Sequence, residues 1–167
     1  KGRMSDKNNL LRFADQCLQC EEPTCSRACP AGINIPHFIK QFLDGDERGA
    51  YETIRQANLL PEICAWLCPV DHQCQGNCLQ NFIGDCAVPI ADIQRHLAEL
   101  ANKNGWSKLR IPEYKTGKNI AIIGAGPAGL SAAAVLLEKG HTVTIYDKSS
   151  GTGGMIESVI PPDRQSD

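Results

Sequence analysis

Apolar positions along the chain fall into two regimes. Up to about residue 110 they recur at helical spacing, and no alternating strand pattern competes with them. The stretch Pro36-His37-Phe38-Ile39-Lys40-Gln41-Phe42-Leu43 predicts a short helix with proline in its first turn, stopped by Asp44-Gly45. Residues 46–57 predict a second helix, with Ala50, Ile54 and Ala57 on one face. The clearest pattern runs over 89–102, where Ile90, Ile93, Leu97 and Leu100 keep helical spacing with charges opposite.

Past residue 104 the character changes. Residues 104–119 are rich in Gly, Pro and Lys/Arg and read as a break between domains. Ile120-Ala121-Ile122-Ile123 is then a short apolar run ending in a glycine-rich turn, the pattern of a buried parallel strand. Residues 127–139 predict a helix with Gly140 as its C-cap, and Thr142-Val143-Thr144-Ile145-Tyr146 a second strand. The expected architecture is therefore multidomain, α followed by α/β. A helical domain covers 1–110, a linker 111–118, and a β-α-β unit 119–167.

Composition narrows the class. At 42% hydrophobic and 22% charged residues the chain has the balance of a soluble globular protein. A net charge of −2, no basic block and 5% aromatics argue against a nucleic-acid partner. The longest apolar run, 132–137, falls far short of the roughly 18 residues a membrane span needs. No basic-then-apolar leader opens the chain, so the expected location is cytoplasmic. Because Lys1-Gly2-Arg3 precede the first methionine, the start reads as a fragment boundary.

Nine cysteines change the picture most, and all lie between residues 17 and 86. Disulfides would suit a short exported chain with an even count, which this is not. The first set is Cys17-x2-Cys20-x4-Cys25-x3-Cys29-Pro30, the second Cys64-x3-Cys68-Pro69-x5-Cys74-x3-Cys78. Zinc needs four tetrahedral thiolates, which the first set could supply. Two four-cysteine sets, each with a Cys-Pro, sit closer to the pattern that seats two [4Fe–4S] clusters. There a tight loop wraps three corners of one cube, and the cysteine before proline reaches the other. Cys29 would then cross between sites, while spacing leaves open whether Cys64 or Cys78 crosses back.

The glycine-rich turn is Gly124-Ala125-Gly126-Pro127-Ala128-Gly129, between a strand and a helix, with Asp147 closing the second strand. In that context the first glycine permits the turn, the second lets a pyrophosphate approach, and the third lets the helix pack on the strand. Asp147 falls where a carboxylate would accept from a ribose hydroxyl. The fingerprint serves FAD and NAD alike.

These residues, taken together from about Asp15 onward, resemble the family of the NADPH-dependent glutamate synthase small subunit and the N-terminal region of dihydropyrimidine dehydrogenase. The resemblance implies a helical domain with two [4Fe–4S] clusters between an FAD domain and a partner catalytic unit. It implies Cys17, Cys20, Cys25 and Cys78 for one cluster, and Cys29, Cys68 and Cys74 for the other. In the dihydropyrimidine dehydrogenase type the remaining ligand is a glutamine, and Ile90-Ala91-Asp92-Ile93-Gln94 matches its context, so Gln94 is expected to fill it. Cys64 is the competitor, being the better iron ligand by softness. Otherwise Cys64 and Cys86 are expected to be buried small hydrophobes. The Gly153-Gly154 pair resembles the family's second glycine site, which favours FAD with Gly154 in contact. Ile160-Pro161-Pro162-Asp163-Arg164 resembles a segment that follows it.

The expected function is the electron-transfer portion of an NAD(P)H-dependent flavin iron–sulfur oxidoreductase, exchanging electrons with a partner subunit or domain. Two other classes compete: a zinc-stabilised interaction module, and a free-standing ferredoxin-like carrier, which would not need the glycine-rich unit. With 167 residues the chain lacks room for the rest of the FAD domain and for the NAD(P)H domain, so it is expected not to be competent alone. No Ser/His/Asp set or paired carboxylate suggests side-chain catalysis. Of the histidines, only His72, between Cys68 and Cys74, merits checking.

Overall fold

The computed structural model describes residues 6–84 and 86–161. The chain divides into two compact units between Ser107 and Lys108. The first is all helical: α1 Lys7–Ala14, α2 Thr24–Arg27, α3 Ile35–Leu43, α4 Glu47–Ala57, α5 Pro61–Leu67, α6 Gln80–Ile83 and α7 Ile90–Asn104. Three of these helices start on a side-chain oxygen that takes an otherwise orphaned amide. Asp6 accepts from Asn9 N, Asn34 from His37 N, and Asp46 from Gly49 N. α7 runs two residues past the sequence expectation, because Gly105 (φ 70°) is the first left-handed stop available.

α7 is the axis of this unit and packs on α1, α4 and α5. The core is Leu10, Phe38, Ile39, Phe42, Ala50, Tyr51, Ile54, Val88, Ile93, Leu97, Ala98 and Ala101. Two expectations about faces are corrected. On α4, Ala57 is exposed and Tyr51 is buried instead, since the helix turns its Ala50-Tyr51-Ile54 side toward α7. On α7 the charges are not all opposite the core. Arg95 is only 6% exposed, with its guanidinium 3.0 Å from Asp92 and stacked 5.0 Å over Trp66 of α5.

The second unit holds β1 Asn119–Ile123, α8 Pro127–Glu138, β2 Thr142–Tyr146 and α9 Met155–Val159. The strands are parallel and in register from Asn119↔Thr142 to Ile123↔Tyr146, as a right-handed crossover through a helix requires. Residues just before β1 belong to this unit: Thr116 N donates to Gly140 O at 3.0 Å and Arg110 N to Glu138 Oε1 at 3.3 Å. β1 is not buried on both faces, contrary to the sequence expectation. α8 covers the face of Ile120, Ile122, Val143 and Ile145, but among the described residues no layer covers the other, and Ile123 is 84% exposed. No helix among the described residues is long and apolar enough to cross a membrane.

Candidate cluster and nucleotide sites

Cys17 follows α1, its amide donating to Ala14 O at 2.9 Å. The chain then turns through Gln19, whose φ of 50° is left-handed, and the Gln19 N–H is directed at the Cys17 sulfur. Cys25 lies in α2 and Cys29 just beyond its end; Cys64 lies in α5 and Cys68 caps it. Cys74 and Cys78 sit on a tight loop closed by Gly76 N to Val70 O at 2.9 Å. A side chain at Gly76 would overlap the Asp71 carbonyl oxygen, so the loop demands glycine there.

Two long-range contacts decide which thiols meet. Thr24 Oγ1 donates to Asn77 O, and Gln80 Nε2 donates to Gln16 O. They hold the segment around Cys78 against those carrying Cys17 and Cys25. The result is that Cys17, Cys20, Cys25 and Cys78 act electrostatically on one another. Cys29, Cys64, Cys68 and Cys74 form the second neighbourhood, with Cys25 and Cys74 adjoining between the two. Cys25 and Cys29, four residues apart, thus face different groups, and so do Cys74 and Cys78.

The second group surrounds a cavity of about 110 Å³, lined by Cys29, Cys64, Cys68, Cys74 and Gln94 among apolar neighbours. Gln94 is 7% exposed, and its Nε2 donates to the Pro61 carbonyl at 2.8 Å. The amide nitrogen is thereby fixed, and the side chain lines the cavity beside the thiols. Gln75 Oε1 accepts from Ala91 N at 3.0 Å, tying the Cys74 loop to the start of α7.

Burial pushes the Cys25 thiol up to about 11 and Cys74 up to about 12, with neighbouring thiols adding to the effect. Cys17 is raised by the same causes. Cys64 goes the other way, to about 6, because Cys68 donates a hydrogen bond to it; Cys68 is correspondingly raised. Partly buried thiols packed this closely resist ionising together unless a cationic group neutralises them, which is the chemistry of a metal-binding donor set. Among the described residues no three His, Cys, Asp or Glu side chains close to single-ion spacing. The thiols instead ring a space, which suits an iron–sulfur core whose ligands attach at separate corners.

The other sequence candidates fall outside these groups. Cys86 is exposed rather than buried, the chain entering the core only at its neighbours Ala87 and Val88. Cys64 is half-buried and faces the cavity rather than packing in the core. His72 is exposed. Sequence reasoning missed Arg95 and Trp66, which lock α7 to α5 beside Cys64. The only local signal was the Asp92–Arg95 spacing.

In the second unit Gly124 (φ 104°) makes the turn out of β1, and Gly126 caps α8. A Cβ on Gly129 would overlap the Gly124 carbonyl oxygen, so the third glycine sets the helix-to-strand approach. Pro127 and Ala128 occupy the first turn of α8, beside amides that no helical carbonyl satisfies. Gly153 N donates to Ala125 O at 2.8 Å, placing Gly154 (φ 58°) against Gly126. Asp147 Oδ2 accepts from Ala125 N at 2.7 Å, while Oδ1 accepts from Ser149 N at 2.8 Å and Ser149 Oγ at 2.6 Å. The Ala125 amide foremost, then Ser149, hold this carboxyl well below the usual range. Of the Ile160–Arg164 motif, residues 162–164 lie outside the described residues.

Comparison with known proteins gives two family matches. Residues 2–106 match the family described as dihydropyrimidine dehydrogenase domain II, 4Fe-4S cluster. Residues 122–167 match the NAD(P)-binding Rossmann-like domain. The glutamate synthase [NADPH] small chain of Azospirillum brasilense is 39% identical over 148 residues, 89% of this chain and 31% of that one. The NAD-dependent dihydropyrimidine dehydrogenase subunit PreT of Escherichia coli K12 is 38% identical over 151 residues, 90% of this chain and 36% of that one. The chain spans about a third of the length of these curated relatives.

Proposed function

The chain belongs to the 4Fe-4S domain II family of dihydropyrimidine dehydrogenase, within the iron–sulfur flavin oxidoreductases, and from that premise we propose that it is the electron-transfer portion of a larger NAD(P)H-dependent enzyme. Electrons pass between FAD and a partner catalytic subunit or domain through two [4Fe–4S] clusters. The first cluster is held by Cys17, Cys20, Cys25 and Cys78, the second by Cys29, Cys68, Cys74 and Gln94. The observation that carries this reading is the sorting of the cysteines into two neighbourhoods, one of which shares its cavity with a fixed glutamine.

When bound, the clusters supply one-electron redox chemistry; the chain's own residues bury, space and orient them. Gly124, Gly126 and Gly129 clear a path for a pyrophosphate; Pro127, which has no N–H, opens α8, and the first-turn amides from Ala128 onward face the pyrophosphate with the positive end of the helix. Asp147 holds the loop through Ala125 while keeping a carboxylate at the strand end for a ribose hydroxyl. Gly154 closes the FAD side. The nicotinamide site and the substrate site belong to the full-length protein, so this chain alone does not complete the reaction.

Iron, acid-labile sulfide and zinc measured on anaerobically purified protein test the proposal. About eight iron and eight sulfide per chain are expected. Zinc without sulfide would overturn the electron-transfer reading.

A further inference from the structure

The second thiol group offers more donors than a four-cornered cluster can use. Cys29, Cys68, Cys74 and Gln94 fill it, yet Cys64 lines the same cavity. Cys64 lies one helical turn before Cys68, whose amide donates to Cys64 O at 3.0 Å. Both residues line the wall of this one cavity. Cys64 Sγ donates weakly to Asn58 Oδ1 at 3.8 Å, an oxygen already accepting from Leu60 N at 3.0 Å. A small hydrophobe would pack in the core, but Cys64 is held at the cavity wall by a weak partner on one side and a sulfur on the other. α5 itself is pinned, by Gln94 on the Pro61 carbonyl and by Arg95 over Trp66, so the two sulfurs keep their spacing.

We propose that Cys64 is a reserve iron ligand for the corner that Cys68 occupies, an inference that rests on the cluster reading of this site. In the exchange, the Cys68 sulfur–iron bond breaks and a Cys64 sulfur–iron bond forms. The Cys64 thiol gives up its proton as it binds, and the departing Cys68 thiolate takes one up. One thiolate replaces another, so iron keeps its oxidation state and no co-reactant is needed. The corner therefore survives damage to Cys68.

The test is a set of variants of this chain, purified anaerobically and read by iron and sulfide content and by EPR. Cys64→Ala should keep about eight iron and an unchanged spectrum. Cys68→Ala should also keep about eight, with one altered signal. The double variant should fall twofold, to about four, and those irons, in the first group, show that the chain has folded. Cys68→Val, which preserves volume and cannot ligate, replaces Cys68→Ala if the latter does not fold. A drop to about four in Cys68→Ala alone, with Cys64→Ala intact, overturns the reserve role but leaves the cluster reading standing. So does a double variant that keeps about eight. Loss in Cys64→Ala alone makes Cys64 a regular ligand and overturns both the reserve role and Gln94. Absence of iron and sulfide from the unsubstituted protein removes the cluster reading itself.

Discussion

Gln94 donates from Nε2 to the Pro61 carbonyl at 2.8 Å, and its side chain, only 7% exposed, lines the cavity of the second thiol group. Pro61 opens α5, the helix that ends at Cys68. The same contact therefore packs α7 on α5 and sets the Gln94 side chain in the cavity that Cys29, Cys68 and Cys74 also line. Gln94→Ala should alter the EPR signal of one cluster and leave the other unchanged, since Gln94 lines the cavity of the second thiol group. An unchanged pair of signals would remove Gln94 from the ligand set.

Gly76 is a second point of leverage. A methyl at this position meets the Asp71 carbonyl, which belongs to the backbone and cannot swing aside. Gly76→Ala should cost about 1–3 kcal/mol by overpacking. Because Cys74 and Cys78 share this loop but serve different groups, iron should fall at both sites together, as elemental analysis would show. A loss confined to one site would mean the loop absorbs the strain locally.

Arg95 joins α7 to α5 by its contact over the Trp66 ring, while its ion pairs with Asp92 and Glu99 run along α7 itself. Its guanidinium is buried while Asp92 keeps 22% of its side-chain surface, so the pair is worth less than a fully enclosed one. Arg95→Ala should lower unfolding free energy by roughly 2–3 kcal/mol in urea titration. Trp66→Leu combined with it in a double-mutant cycle should give a coupling of about 0.5–2 kcal/mol. No coupling would show that the stacking contributes nothing.

Glu47 gives the helical unit an acid limit. Burial works to raise this carboxyl, but Lys7 at 2.7 Å and His96 at 3.5 Å outweigh it, and the net shift is downward. A carboxyl lowered in the folded state adds stability above its unfolded value of about 4.3, and that stability is lost as pH falls through the folded value. The urea midpoint should therefore fall as pH drops below about 4.5. Glu47→Gln should flatten that part of the profile. A variant as acid-sensitive as the parent would assign the effect to other groups.

Much of this was local and therefore readable in sequence. Helices α3, α4 and α7, the parallel β-α-β unit and the roles of Gly124 and Gly129 follow from spacing, caps and backbone freedom, which act within a few residues. The cysteine spacings likewise announced a metal-binding region. What spacing left open was how the thiols group, because that depends on contacts between segments far apart, Thr24 with Asn77 and Gln16 with Gln80. Tertiary packing also decided that Arg95 is buried, that Tyr51 rather than Ala57 fills the core, and that Cys86 stands in solvent. Sequence by itself determined the local elements and the donor types. Only the folded chain decided which donors share a cavity, since no period along a chain encodes what two distant segments bring face to face.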